Sequence, residues 1–239
     1  MDSVSVVIPT INEAENIKEL IPRVERIFDA AGLHGEVIVV DDLSTDGTPE
    51  LARKMNSVYG NVKVLAREVR NGLGNALREG VGVASNELVV FMDADLSHDP
   101  KEIANFVNSL KEHDVVVGSR FMSGGNLKRG TTRNVISGTY NIVSRALISV
   151  KVADITSGYR GFHKKTFESL NLKSTGPEIH SELVVKATIE GYRIGEIPIS
   201  YVDRRQGKSK LNYMNIGPGY SRVLALGFLS RVAKILRLR

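Results

Sequence analysis

A mainly parallel β-sheet flanked by helices is the α/β fold class that three features of this 239-residue chain predict. Short β-branched runs alternate with stretches of helical periodicity. The runs are apolar almost throughout, as strands buried on both faces require. Polar or acidic residues follow several of them directly, where a parallel sheet opens to ligands. The first run covers residues 4–8 and is stopped by Pro9. A helical pattern over 13–30 leads to a strand at 36–40. The next helix, 48–57, has Asp46 or Thr48 as its cap and Pro49 in its first turn. A strand at 62–65, a helix at 72–84 and a strand at 88–92 continue the alternation. Pro100 begins a helix to residue 111, and a strand follows at 115–118.

Beyond residue 119 the rhythm loosens. Residues 120–131 are rich in Gly and Ser with basic side chains, which predicts a mobile loop. A helix over 132–150, a polar turn region over 154–162, a helix over 178–190 and a strand over 193–201 are expected. A basic loop, 203–210, comes next.

Hydrophobic residues make up 42% and charged residues 25%, the proportions of a globular protein with a real core. No cysteine is present, which excludes disulfides and thiolate metal sites. The net charge of +5 is matched by Arg222, Arg231, Lys234, Arg237 and Arg239 in a tail without acids. The rest is near neutral, unlike a nucleic-acid binder with basic residues spread over its face, so no nucleic-acid partner is expected. On a helical projection Gly227, Ser230, Arg231, Lys234 and Arg237 share one side. Leu224, Phe228, Leu229, Val232, Ile235, Leu236 and Leu238 cover most of the remainder. This pattern predicts a basic amphipathic helix lying on a membrane surface, against a plainer reading in which the helix packs on the domain or forms an oligomer contact. Its longest apolar stretch, 223–229, is far short of the roughly 20 residues a span needs. With no leader-like segment before the first strand, a peripheral position on the cytoplasmic face of a membrane is the expectation.

The densest chemical signal is Asp93-Ala94-Asp95, directly after the apolar run 87–92. The strand is expected to deliver both carboxylates on one face at its C-terminal edge. Paired carboxylates repel unless a cation neutralises them, and hard oxygen donors suit Mg²⁺ or Mn²⁺, which in turn would hold a diphosphate. After the first strand, Glu13 could accept hydrogen bonds from a base or ribose, against a simpler reading in which Asn12 caps the following helix. Asp42, after the second strand, is placed to meet a ribose. No histidine pair has zinc-ligand spacing, and no Walker lysine motif occurs. Gly72-Leu73-Gly74 lacks the third small residue of a dinucleotide fingerprint.

Read in order, the segments 7–13, 39–48, 71–77 and 92–96 resemble the inverting, nucleotide-sugar-dependent glycosyltransferases of family 2, which have the GT-A (Rossmann-like) fold. Gly118-Ser119-Arg120-Phe121, Ser157-Gly158-Tyr159-Arg160 and residues 204–211 extend the resemblance to the dolichyl-phosphate mannosyltransferase group and its polyprenyl-phosphate relatives. The resemblance spans roughly residues 3–212, and so many motifs in one order are hard to obtain by accident. It implies a catalytic domain over 1–212 followed by the amphipathic, membrane-proximal helix over 213–239.

The resemblance also implies roles. Pro9, Ile11 and Glu13 match the nucleoside-binding strand end, and Val40 and Asp42 match positions around base and ribose. Asp93 and Asp95 match the metal pair, with Ala94 touching the ribose through its backbone and Ser97 at the position that helps complete the metal shell. Arg120, Arg133 and Ser137 match the lipid-phosphate site. Arg204 and Lys210 match a loop that closes over the donor phosphates, and with Asp95 they are the implied catalytic residues. The implied donor is GDP-mannose and the implied acceptor dolichyl (polyprenyl) phosphate, with Mg²⁺ or Mn²⁺ as cofactor and room for a membrane-anchoring partner.

Three departures stand out. Ile11 replaces a frequent Tyr and removes a stacking surface for the base. Ser97 replaces a frequent Gln, leaving a shorter side chain beside the metal. The membrane-spanning C-terminal segment common in the group is not among these residues. Two other readings stay open: a UDP-glucose or UDP-GlcNAc donor on the same scaffold, and a non-catalytic, membrane-peripheral adaptor.

Overall fold

The computed structural model describes residues 2–128, 131–202 and 213–237. Strand β1 (Ser3–Thr10) is followed by α1 (Ala14–Ala31), β2 (His34–Asp41), α2 (Thr48–Tyr59), β3 (Val62–Ala66), α3 (Leu73–Val83), β4 (Leu88–Phe91), α4 (Glu102–Ser109) and β5 (Val115–Ser119). The second half carries β6 (Asn126–Lys128), α5 (Thr131–Ile148), β7 (Arg160–His163), α6 (Lys164–Ser169), α7 (Ile179–Glu190), β8 (Ile194–Pro198), β9 (Ser200–Val202) and α8 (Tyr213–Arg237).

The main sheet has the order β3-β2-β1-β4-β7-β5-β8. β1 pairs in parallel with both β2 and β4, so chain order reverses across β1 and β4 and opens a crevice at their C-terminal ends. Alternation along β1 divides the core. Val4, Val6 and Ile8 pack with Ile17, Leu20 and Phe106 on one face, while Val7 packs with Leu77, Phe91 and Leu183 on the other. A third cluster joins Ile148, Val150, Val184 and Val223 at the side where α5, α7 and α8 meet.

Several expectations need correction. β7 runs antiparallel between β4 and β5, inside the region read as a polar turn. Only four residues long and containing Arg160 and Gly161, it has no apolar run to betray it. Residues 120–131, read as a mobile loop, contain β6, which pairs with β9; residues 129–130 lie outside the description. The strand expected over 193–201 is divided into β8 and β9 at Ile199, whose amide donates to the Ser119 carbonyl.

The tail is helical, but part of the side that reads as polar faces the body. Val223 and Gly227 are buried against the body, and Arg231 donates to the Ala146 and Leu147 carbonyls at 2.8 and 3.0 Å. Those carbonyls are in the last turn of α5, where the helix dipole favours a cation. Phe228, Leu229 and Leu236 face outward, 43%, 64% and 66% exposed. Gly227 and Arg231 of the side that reads as polar are thus seated on the body while Lys234 stays exposed, and Leu224 of the apolar side packs inward. Among the described residues no helix is long and apolar enough to cross a membrane.

Candidate active site

The ends of β1, β2 and β4 border a cleft of about 890 Å³, closed on its far side by α5 and α8. Pro9, Ile11, Glu13, Asp42, Asp93, Ala94, Asp95, Arg120 and Ser137 all line it. Val40 does not: its side chain is buried in the core behind the cleft, and its carbonyl accepts from Thr10 Oγ1 at 3.4 Å. Arg204 and Lys210 lie outside the described residues, as does the side chain of Arg133, although its backbone belongs to α5.

The β1 end is fixed by the loop after β2. Asn12 adopts a positive φ of 51°, and its Oδ1 accepts from the Thr45 amide at 2.7 Å. The Glu13 amide donates to Thr48 Oγ1 at 3.0 Å and the Ala14 amide to Asp46 Oδ2 at 3.0 Å. The opening amides of α1 are thus capped from another loop rather than by Asn12. Burial works to raise the Asp46 carboxyl, but the hydrogen bonds from Thr48 and from the Ala14 amide outweigh it and hold it below the usual range.

Asp42 is buried, and its Oδ1 accepts from Arg67 Nη1 at 2.5 Å. The same guanidinium bonds Glu79 at 2.9 and 3.0 Å and also reaches Asn71 Oδ1. Glu79 and then Asp42 push Arg67 above its ordinary value, against the pull of burial. Arg67 escaped the sequence reading. Its signal was register: Asp41 pairs with Ala66, which places an Arg at the end of β3 beside the acid at the end of β2.

β4 ends at Phe91, so Asp93 and Asp95 sit in the turn beyond it, not on the strand. Leu96 turns the chain with a φ of 60°, and the Ser97 amide donates to Asp95 Oδ1 at 3.1 Å. The Asp93 side chain is 39% exposed, with His98 Nε2 at 4.0 Å from its Oδ2. Burial, partly opposed by the nearby Asp95, lowers His98 to about 4, so its ring is neutral at physiological pH. It stacks on Tyr159 with centroids 4.6 Å apart. Ser97 Oγ is buried with no hydrogen-bond partner among the described residues. Two carboxylates at one edge of the cleft are hard oxygen donors that fit Mg²⁺ or Mn²⁺, whereas Ser97, on the same turn, is buried and not part of the cleft lining.

Arg120 reaches the cleft with much of its charge already matched. Nε and Nη2 bond the fully buried Asp154 at 2.6 and 2.8 Å, and Nη2 bonds Thr156 Oγ1 at 2.8 Å. Burial disfavours the Asp154 charge, yet Arg120 beside it holds the carboxyl below its usual value. An acid in a predicted turn region gave no cue that it would be internal. His180, on the first turn of α7, is an unforeseen member of the cleft wall. Two glycines allow the wall to close. A Cβ on Gly72, whose φ is 105°, would stand 2.3 Å from the Thr175 carbonyl oxygen, and one on Gly74 2.2 Å from that of Ser174. The 71–77 motif is thus a packing device for residues 174–175.

Fold and cleft together define an α/β protein with an acidic cleft at the switch point of its sheet. Residues 5–170 match the family described as glycosyl transferase family 2. The chain is 36% identical over 212 residues to a dolichol-phosphate mannosyltransferase of Pyrococcus furiosus, covering 87% of this chain and 59% of that protein. It is 32% identical over 235 residues to an undecaprenyl-phosphate mannosyltransferase of Micrococcus luteus, covering 95% of each. Glucosyl-3-phosphoglycerate synthase from Mycobacterium tuberculosis, crystallised with Mn²⁺, UDP and glucosyl-3-phosphoglycerate, superposes with a TM-score of 0.68 at 22% identity, covering 96% of this chain and 80% of that one. The chain belongs to glycosyltransferase family 2, and its fold is that of the GT-A enzymes.

Proposed function

We propose that this protein transfers a hexose, in the first instance mannose from GDP-mannose, to a polyprenyl phosphate such as dolichyl phosphate, with inversion at the anomeric carbon. The observation that carries the reading is the position of Asp93 and Asp95 at the switch-point cleft of a chain whose relatives are named polyprenyl-phosphate mannosyltransferases. Asp93 and Asp95 would hold Mg²⁺ or Mn²⁺. A metal there supplies charge that stabilises the departing nucleoside diphosphate.

The chain's own residues do the rest. Pro9, Ile11, Glu13 and Asp42 seat the nucleoside, with Asp42 held in place by Arg67. Ala94 meets the ribose through its backbone. Arg204 and Lys210, which lie outside the described residues, would supply positive charge to the donor phosphates. Arg133 and Ser137 receive the lipid phosphate, with Arg120 contributing from one edge because Asp154 shares its charge. An oxygen of the acceptor phosphate forms the new bond to the anomeric carbon as the bond to the diphosphate breaks. That oxygen is already anionic near neutral pH, so no strong general base is required and catalysis rests on positioning and charge stabilisation. Residues 1–212 form the catalytic unit. The outward apolar residues of α8, flanked by Lys234 and Arg222, rest on the cytoplasmic face of the membrane that carries the lipid.

Thermal denaturation with GDP, UDP, GDP-mannose or UDP-glucose, each with Mn²⁺ or with EDTA, tests the reading. A saturating ligand confined to the folded state raises Tm by about 5–10 °C for a chain of this size. A metal-dependent rise with GDP and GDP-mannose supports it. A rise confined to the uridine nucleotides replaces the donor, and no rise in folded protein overturns the transferase assignment for this chain.

A further inference from the structure

We infer that His180 is a specificity-determining residue that reads a hydroxyl group of the sugar being transferred, an inference that rests on the hexosyl-transfer reading above. His180 lines the cleft although only 6% of it is exposed. Its Nδ1 is buried and has no hydrogen-bond partner among the described residues. Buried polar atoms are nearly always paired, and an exception in a binding cleft points to a ligand that completes it.

The ring is held where it is. Phe91 meets it edge-on at 6.1 Å and 72°, and the His180 carbonyl accepts from the buried guanidinium of Arg160. A ring fixed by packing and by its backbone is preorganised for recognition.

Gly158 connects this group to the acidic edge of the cleft. A Cβ there would stand 3.4 Å from both carboxylate oxygens of Asp93 and 3.6 Å from His180 Nε2. The missing side chain leaves Asp93 and His180 bordering one space. If Asp93 marks the diphosphate, the next group along a nucleotide-sugar is the hexose, and His180 is a polar side chain that borders its place.

The chemistry selects a hydroxyl rather than a phosphate. Burial, and then the positive charge of Arg160, keep the imidazole neutral. A neutral imidazole nitrogen pairs with a single hydroxyl, as donor or as acceptor according to the tautomer. A phosphate would instead call for a cation.

The test compares the wild type with His180→Phe, which keeps a ring against Phe91 but loses both nitrogens. The probes are the nucleoside diphosphate alone, the nucleotide-sugar that the wild type turns over, and that donor's 2-, 3-, 4- and 6-deoxy forms. The wild type is expected to lose about 10- to 100-fold in kcat/KM with one deoxy donor. His180→Phe is expected to lose a similar factor with the parent donor, to show no further loss with that deoxy donor, and to bind the diphosphate within about twofold of wild type. A His180→Phe protein that discriminates among the deoxy donors as the wild type does overturns the role of His180 alone. If that variant fails to bind the diphosphate, the smaller, apolar His180→Leu carries the same comparison with the same expected loss of discrimination. A wild type that turns over no nucleotide-sugar overturns the transfer reading, and the inference with it.

Discussion

The two walls of the cleft are built on different principles. On the sheet side, polar groups are tied to one another: Asp42 to Arg67, Asn12 to Thr45, Asp46 to Thr48 and to the Ala14 amide. On the helix side, α5 and α8 line the cleft with Ile136, Tyr140, Tyr220 and Leu224, and beyond it they leave Val135, Ile142 and Leu229 on the surface at 61%, 68% and 64% exposure. The first wall is preorganised, as a site for a small charged group must be. The second is an apolar ledge, more extensive than isolated surface hydrophobes require and suited to a lipid-bearing substrate. A single fold therefore supplies a rigid polar jaw and an apolar one, meeting at the Arg120–Asp154 pair.

The largest effect should come from the polar jaw. Asp95→Asn removes one of the two carboxylates while keeping its shape, so turnover should fall by about 10³-fold, the scale of losing a key electrostatic stabiliser. Unfolding curves should barely move. Wild-type-like turnover would remove Asp95 from the chemistry.

Next comes the junction. Asp154→Ala leaves the Arg120 guanidinium buried without its partner carboxylate, which should cost about 3–5 kcal/mol in denaturant unfolding. Because the native Asp154 carboxyl lies below its ordinary value, its contribution is complete above the unfolded carboxylate range and is lost as pH falls through the native value. A Asp154→Leu, Arg120→Met double variant should recover most of the loss. If it recovers none, the pair does more than neutralise itself.

A smaller effect is expected within the apolar jaw, where α8 is seated on α5. A Cβ on Gly227 would lie 2.6 Å from Ile148 Cδ1 and 2.9 Å from its Cγ2. Gly227→Val should destabilise the seat of α8 by about 1–3 kcal/mol through overpacking, more than the few tenths gained in helix propensity. Limited proteolysis should then cut α8 free before the sheet core unfolds. Unchanged cleavage would mean that Arg231 and Val223 suffice to hold it.

Legibility in the sequence followed the same division. The alternation of buried strands and amphipathic helices through residue 119 marked β1 to β5 and α1 to α4 within a few residues, because each apolar run is long and each helix has a clean period. Asp42, Asp93 and Asp95 were visible because strand ends in an open α/β sheet are where ligands bind. What escaped depends on distant partners. Arg67 needed the β2–β3 register, Asp154 needed Arg120 brought to it across 34 residues, and β7 needed two neighbours to stabilise four residues without a pattern. His180 gave no motif because a single imidazole gains meaning only from what surrounds it. The inward turn of part of the polar side of α8 escaped for a related reason: a helical projection knows polarity, not that the α5 C-terminus offers two carbonyls for Arg231.

The least disruptive change tests the apolar jaw itself. Leu229 is 64% exposed on the outer face of α8, so Leu229→Glu removes no packing and should alter stability by no more than about 0.5 kcal/mol. If that face rests on a membrane, the same change places a carboxylate where acyl chains and anionic headgroups would be, and binding to vesicles containing anionic lipid should weaken several-fold. Turnover of a water-soluble, short-chain polyprenyl phosphate should be untouched, while turnover of the same headgroup on a long chain in vesicles should fall with binding. Equal turnover of both would place the membrane contact elsewhere on the ledge, with the exposed Val135 and Ile142 of α5 next in line. Loss of both would instead show that the outer face of α8 communicates with the cleft, and the two jaws would no longer be separable.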